Sequence, residues 1–149
     1  MMQQTKRNRR RSRAGVTLIE MLVVVTIIGL FVALVGPKLW SKVDEAKIGA
    51  ARSQIDNFQT ALGAYKLDTG NFPTTEQGLQ ALRVRPPEAP QWNGPYLPKD
   101  VPKDPWGIDY VYRFPGEHQP DEPEIISYGA DRQPGGEGIY ADIVSWKNR

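Results

Sequence analysis

Glu20 is the residue that most demands a chemical explanation. It is the one charge inside an apolar run of 21 residues, Val16 to Gly36. A carboxylate in hydrocarbon costs about 2.5–3.5 kcal/mol at mid-span and less near an end. It therefore needs a cationic neighbour, and the run supplies none. Cutting the peptide bond between Gly15 and Val16 would create one. The new α-amine is positively charged at neutral pH and lies four residues before Glu20. Within one helix the first-turn geometry is awkward for this pair. Between two parallel helices offset by a few residues it is easy. The implied chemistry is proteolytic processing followed by self-assembly, with the stagger fixed by a charge that only a neighbour can neutralise.

A second group of side chains has the composition of a cation site. Asp131, Glu137 and Asp142 lie in a glycine-rich stretch, Asp131-Arg132-Gln133-Pro134-Gly135-Gly136-Glu137-Gly138-Ile139-Tyr140-Ala141-Asp142. Calcium takes six to eight hard oxygens from carboxylates and carbonyls, and glycines let a chain curl around it. The spacing is not that of an EF-hand. The competing reading is a turn-rich loop whose aspartates cap backbone amides.

Other chemistries are poorly supported. His118 is the only histidine and there is no cysteine, which argues against zinc. It sits in Pro115-Gly116-Glu117-His118-Gln119-Pro120, read as an exposed loop. No glycine-framed serine marks a nucleophile elbow. Trp92, Tyr96, Trp106 and Tyr110 read as core and subunit contacts rather than a sugar or base platform. Nothing here points to an enzyme.

The elements that must position these residues follow from charge and periodicity. The 149 residues suffice for one modest soluble domain beyond the apolar run. Lys6, Arg7, Arg9, Arg10, Arg11 and Arg13 precede Gly15. The remaining 13 basic and 17 acidic residues leave the chain after Gly15 near −4. An arginine run can bind nucleic acid. Directly before a span, the positive-inside rule explains it better. The reading is a cytoplasmic leader, residues 1–15, then a half-helix over 16–36 that crosses a membrane once. An exported domain follows over 37–149. Twenty apolar residues rise about 30 Å, the thickness of a bilayer's hydrocarbon core. A secretory signal has a shorter core and its cleavage site after it. Here the glycine junction comes first.

Beyond Pro37 the pattern is amphipathic. Trp40, Val43, Ala51, Ile55, Phe58, Leu62 and Tyr65 recur at helical spacing. Lys42, Glu45, Arg52, Asp56, Gln59 and Lys66 form the other face. One helix is predicted from Val16 to about Leu67, with its amphipathic half over 38–67. Asp68-Thr69-Gly70-Asn71 stops it. Pro37 is predicted to break it with a kink or melted turn, because proline removes a hydrogen bond to Ala33. Thr74 to Leu82 reads as a short helix, with Thr74 and Gln77 as a capping box. Twelve of the 13 prolines follow residue 70, favouring turns and short strands. Residues 108–114 and 124–128 alternate as strands of a small antiparallel sheet. The expected fold is α+β: a long helix, its first half transmembrane, packed on a small turn-rich domain.

Ala14-Gly15-Val16-Thr17-Leu18-Ile19-Glu20 resembles the processing site of type IV pilins and type II secretion pseudopilins. The resemblance implies that a prepilin peptidase cuts after Gly15 and methylates the amino group of Val16. It implies that Glu20 guides subunits into a filament. The family usually carries Phe where Val16 stands. Pro37 matches a helix-breaking proline common in the family.

Four later patches resemble the major pseudopilin of type II secretion. They are Phe72-Pro73-Thr74-Thr75-Glu76-Gln77-Gly78-Leu79; Trp92 with Gly94-Pro95-Tyr96-Leu97; Asp104-Pro105-Trp106-Gly107 with Tyr110; and Tyr128-Gly129-Ala130-Asp131 through Ala141-Asp142-Ile143. Absence of the C-terminal disulfide seen in many pilins favours the same branch. The resemblance implies a calcium ion held by Asp131 and the carbonyl of Tyr128, with Asp142 and Glu137 as further candidates. Relatives often have acidic residues where this chain has Gly138 and Tyr140. It implies a homopolymer in a periplasmic pseudopilus, with minor pseudopilins, an assembly platform and a cytoplasmic ATPase as partners. The rivals are a type IV pilin for adhesion, motility or DNA uptake, and a membrane-anchored periplasmic enzyme or binding protein.

Overall fold

The computed structural model describes residues 15–147, without the side chains of Pro37, Lys38 and Leu39. The chain divides into two compact units, meeting between Trp40 and Ser41. The leader before Gly15 lies outside the described residues.

Helix α1 spans Leu18–Thr69, within two residues of the expected bounds at each end. Pro37 lies inside it, so the expected melted turn is not found. Proline's fixed φ suits a helix, and one missing hydrogen bond does not end one held on both sides. Gly70 closes α1 with a φ of 87° and an N–H bond to the Lys66 carbonyl at 2.8 Å. Only a residue without Cβ takes that conformation freely.

In the second unit the stripe of α1 is the floor of the core. Ala51, Ile55, Phe58, Leu62 and Tyr65 are buried, as the four-three spacing requires. Trp40 and Val43, assigned to the same stripe from sequence, are 76% and 54% exposed. Val43 precedes Ala51 by eight residues, about 80° around the helix. Trp40 precedes the first covered position. Phe58 meets the edge of Tyr110 with ring centroids 5.1 Å apart, a favourable aromatic geometry.

The stretch after Pro73 differs from the predicted short helix. Its capping box forms: the Gln77 N–H donates to Thr74 Oγ1 at 3.3 Å, and the Thr74 N–H donates to Gln77 Oε1 at 3.0 Å. It opens a turn, and a 3-10 helix follows over Leu79–Leu82. Gly78, at a φ of 57°, interrupts what would have been α-helix. Leu79, Ala81 and Leu82 still reach the core.

The sheet is antiparallel, in the order β1 (Val111–Arg113), β2 (Glu124–Ser127), β3 (Ile143–Val144). Val111 pairs with Ile126, and Ile126 with Val144. The first two strands are trimmed versions of the predicted ones. The third, two residues long, was not predicted. All four residues of β2 are buried, as expected for a central strand.

Burial has a consequence for alkaline stability. Desolvation, then the nearby Asp104 carboxylate, pushes the Tyr110 hydroxyl up to about 12. Burial, then Tyr65, raises Tyr112 as well. Below the ordinary tyrosine pKa of about 10 both folded and unfolded chains keep these protons. Above it the unfolded chain loses its tyrosine protons while the folded one retains them, so ionisation favours unfolding. Stability should therefore fall from about pH 10 to about pH 12. Urea midpoints measured across that range check this, and Tyr110→Phe should flatten part of the slope.

Candidate functional site

The N-terminal site is built on the start of α1. Gly15, Val16 and Thr17 precede the helix, and Glu20 lies in its first turn. The Glu20 N–H donates to Thr17 Oγ1 at 3.3 Å. Thr17 thus caps one of the amides that a helix start leaves without a partner. Glu20 also stands at the positive end of the helix dipole, which favours its charge. Neither effect supplies a counter-ion, and no ion pair to Glu20 occurs among the described residues.

Every large apolar side chain from Val16 to Val35 is exposed, from 43% at Val35 to 89% at Leu18. The most apolar 18-residue window of α1 has a mean hydropathy of 2.9 and none of it is buried. Such a surface must be covered by lipid or by other helices. Thr26, the polar residue mid-run, returns its hydroxyl to the Leu22 carbonyl at 2.8 Å, so it exposes no unmet donor.

The loop from Tyr128 to Asp142 is the second site. Gly129, Gly135, Gly136 and Gly138 all have positive φ, as does Arg132 at 63°. At Gly136 a Cβ would collide with the Tyr140 carbonyl, so only glycine fits there. Asp131 Oδ1 accepts from the Gln133 N–H at 3.2 Å. Asp142 Oδ2 accepts from the Gly135 N–H at 2.9 Å, and the Asp142 N–H donates to the Gly135 carbonyl at 3.2 Å. These are the amide-capping roles of the competing reading, and both aspartates play them. Asp142 Oδ1 is buried with no partner, a lone acceptor of the kind a cation would satisfy. Glu137 is exposed and extended at the start of a 3-10 turn, Gly138–Tyr140. No group of three or more acidic or histidine side chains gathers at metal-binding distance among the described residues. Carbonyls and water would have to supply most of a calcium shell here.

His118 is exposed, as expected, but it is not free. Its ring stacks on Trp146 with centroids 4.2 Å apart. Its Nδ1 lies 2.9 Å from Glu124 Oε1, which also accepts the His118 N–H at 2.6 Å. Glu124 is only 2% exposed. The four aromatics read as packing groups do pack. Tyr110 is buried, and Trp92, Tyr96 and Trp106 are partly buried against the core. The Trp92 indole N–H donates to the Ala81 carbonyl at 2.8 Å.

The sequence reading gave no role to Asp104. It is 5% exposed, yet every oxygen is used. Oδ1 accepts the Trp106 and Ile108 N–H groups at 3.0 and 2.8 Å, and Oδ2 accepts the Ser127 hydroxyl at 2.7 Å. Asp-Pro-x-Gly is the pattern of a turn with Pro second and Gly fourth, so the turn was legible. The tie to β2 through Ser127 was not.

Comparison with known proteins gives a consistent result. Residues 38–146 match the family described as Type II secretion system (T2SS), protein G. Residues 10–36 match the prokaryotic N-terminal methylation motif. The chain is 44% identical over 142 residues to the type II secretion system core protein G of Pseudomonas aeruginosa, covering 93% of this chain and 99% of that one. It is 42% identical over 139 residues to that of Vibrio cholerae, covering 91% and 93%. Among solved structures it matches the major pseudopilin from the type 2 secretion system of enterohaemorrhagic Escherichia coli, with a TM-score of 0.60 and 34% identity. That match covers 74% of this chain and 96% of that chain.

Proposed function

Because the chain belongs to the type II secretion system protein G family, the major pseudopilins, we propose that it is the main structural subunit of a pseudopilus that drives export of folded proteins across the outer membrane. The match over 38–146 to the protein G family favours this over a type IV pilin. The role is structural, not catalytic.

The observation that carries the mechanism is an apolar, fully uncovered half-helix with a first-turn carboxylate that has no cationic partner among the described residues. The precursor is anchored in the inner membrane by residues 16–36, with the basic leader in the cytoplasm and the domain after Pro37 in the periplasm. A prepilin peptidase cuts between Gly15 and Val16 and methylates Val16. The apolar half-helices then leave lipid and bundle in the filament core. Each Glu20 is neutralised by the α-amine of an adjoining copy, which sets the stagger. The small domains form the outer shell. The assembly platform, the cytoplasmic ATPase and the minor pseudopilins act on this polymer; nucleic acid has no part in it. The test is the intact mass of the protein made with and without the peptidase. Loss of residues 1–15 plus one methyl group is expected with it, and the uncut mass without it. An uncut chain in working filaments would overturn the processing step.

The same reading places calcium in the 128–142 loop. Asp142, whose Oδ1 is buried without a partner, and Asp131 would hold it with the Tyr128 carbonyl, and Glu137 is close enough in sequence to contribute. The ion would order the loop by tying its ends together. Ligand that binds only the folded state stabilises it by about 2.7 kcal/mol at a hundredfold excess over Kd. The melting temperature should therefore rise with calcium, fall with chelator, and respond to neither in Asp142→Ala.

A further inference from the structure

We propose that Trp40 is a lipid-interface anchor that fixes the depth of α1 before assembly, holding Glu20 just inside the opposite boundary of the hydrocarbon. This rests on the membrane-anchored precursor described above. Four tryptophans occur in the chain. Trp92, Trp106 and Trp146 are partly covered by the folded unit, whereas Trp40 is 76% exposed. A large aromatic left this bare needs a cover.

Its position decides which cover. The apolar run ends at Gly36, and Trp40 lies four residues beyond it. At 1.5 Å per residue that is about 6 Å past the run. The headgroup layer on each side of a bilayer is about 5–7 Å deep, the difference between the whole membrane and its hydrocarbon core. Trp40 therefore falls in the zone where an indole is most at home, with its apolar body toward the acyl chains and its N–H toward headgroups. Lys42 lies two residues further along the chain, adding a cation near the lipid phosphates. Lys42 is also paired with Glu45 at 2.8 Å on the same helix.

The second distance gives the anchor a purpose. Glu20 and Trp40 are twenty residues apart on α1, a rise of about 30 Å. That equals the hydrocarbon thickness. With the indole about 6 Å outside one boundary, the carboxylate stands about 6 Å inside the other, near the end of the span, where its desolvation costs less than at mid-span. Sliding the helix either way would draw Glu20 into the oil or Trp40 out of the interface.

The test uses the mature full-length chain in phosphatidylethanolamine–phosphatidylglycerol vesicles, compared with Trp40→Leu. Fluorescence is quenched by lipids brominated near the glycerol end, by lipids brominated near the chain terminus, and by aqueous acrylamide. Trp40 emission, taken as the difference between the two proteins, should be lost mainly to the shallow bromines. Equal quenching of both proteins while both float with the vesicles overturns the anchor and spares the membrane reading. Quenching chiefly by deep bromines or by acrylamide overturns it too, as does a Trp40 shielded from all three, which would assign the residue to a second copy. Failure to float with vesicles removes the membrane reading itself and the anchor with it.

Discussion

Glu20→Ala is expected to leave the protein cleaved and membrane-bound but unable to form filaments, with export of its cargo lost. Removing one member of a buried ion pair leaves the other charge uncompensated, at a cost of about 3–5 kcal/mol. Per subunit added, that is roughly two to four orders of magnitude in equilibrium. A growing polymer cannot absorb that loss at every step. Glu20→Gln separates this from a local role. Glutamine serves as well as glutamate in the third position of a capping box, so a carboxylate needed only at the helix start beside Thr17 would be replaceable by an amide. Under the assembly mechanism Glu20→Gln fails nearly as badly as Glu20→Ala. Sheared filament yield and secreted protein, each measured beside the amount of mature subunit in membranes, read the difference.

Asp104→Ala is expected to be the most damaging single change in the folded unit outside the apolar core. One carboxylate, 5% exposed, accepts two backbone N–H groups and the Ser127 hydroxyl. Hydrogen bonds to a charged acceptor contribute about 1.5–3 kcal/mol each and do not add fully. Deleting all three at once should cost about 3–5 kcal/mol. It also frees the turn before β1 from its tie to β2. Ser127→Ala removes one of these bonds together with the Gly129 N–H bond to the same hydroxyl at 3.3 Å, and should cost less than Asp104→Ala. Urea unfolding of the detergent-solubilised mature chain, followed by tryptophan fluorescence, checks both the size and the ranking. Equal effects of the two substitutions would mean that the backbone bonds of Asp104 contribute no more than the Gly129 bond to Ser127.

Much of the architecture was legible because it rests on local period. The stripe from Ala51 to Tyr65 is an interval pattern, and it is the buried face. The Thr74–Gln77 box is a pair of side chains three apart, and both bonds form. What followed the box was misread, because the conformation of Gly78 decides between α and 3-10 and a glycine permits either. Trp40 shares the direction of the stripe but not its cover, because periodicity reports direction around a helix, not how far along it the domain extends; Val43 lies about 80° off the stripe. β3 is two residues long, too short for any alternation to appear. Asp104 and Glu124 illustrate the largest gap. A carboxylate's burial depends on donors that the fold brings to it, Ser127 from 23 residues away for one and His118 across a loop for the other, and no spacing rule encodes that. At the N-terminal site the composition was nearly sufficient, since one acid in an apolar run poses its question without any fold. In the 128–142 loop the carboxylates were found, and so was the bland role that both aspartates fill.

The most direct measurement is a high-resolution map of the assembled filament, read at the first turn of α1. The Glu20 carboxylate should lie within ion-pair distance of the Val16 α-amine of an adjoining copy, in a core without lipid or water between them. A map with Glu20 turned toward lipid or solvent, and no neighbouring amine in reach, would contradict this.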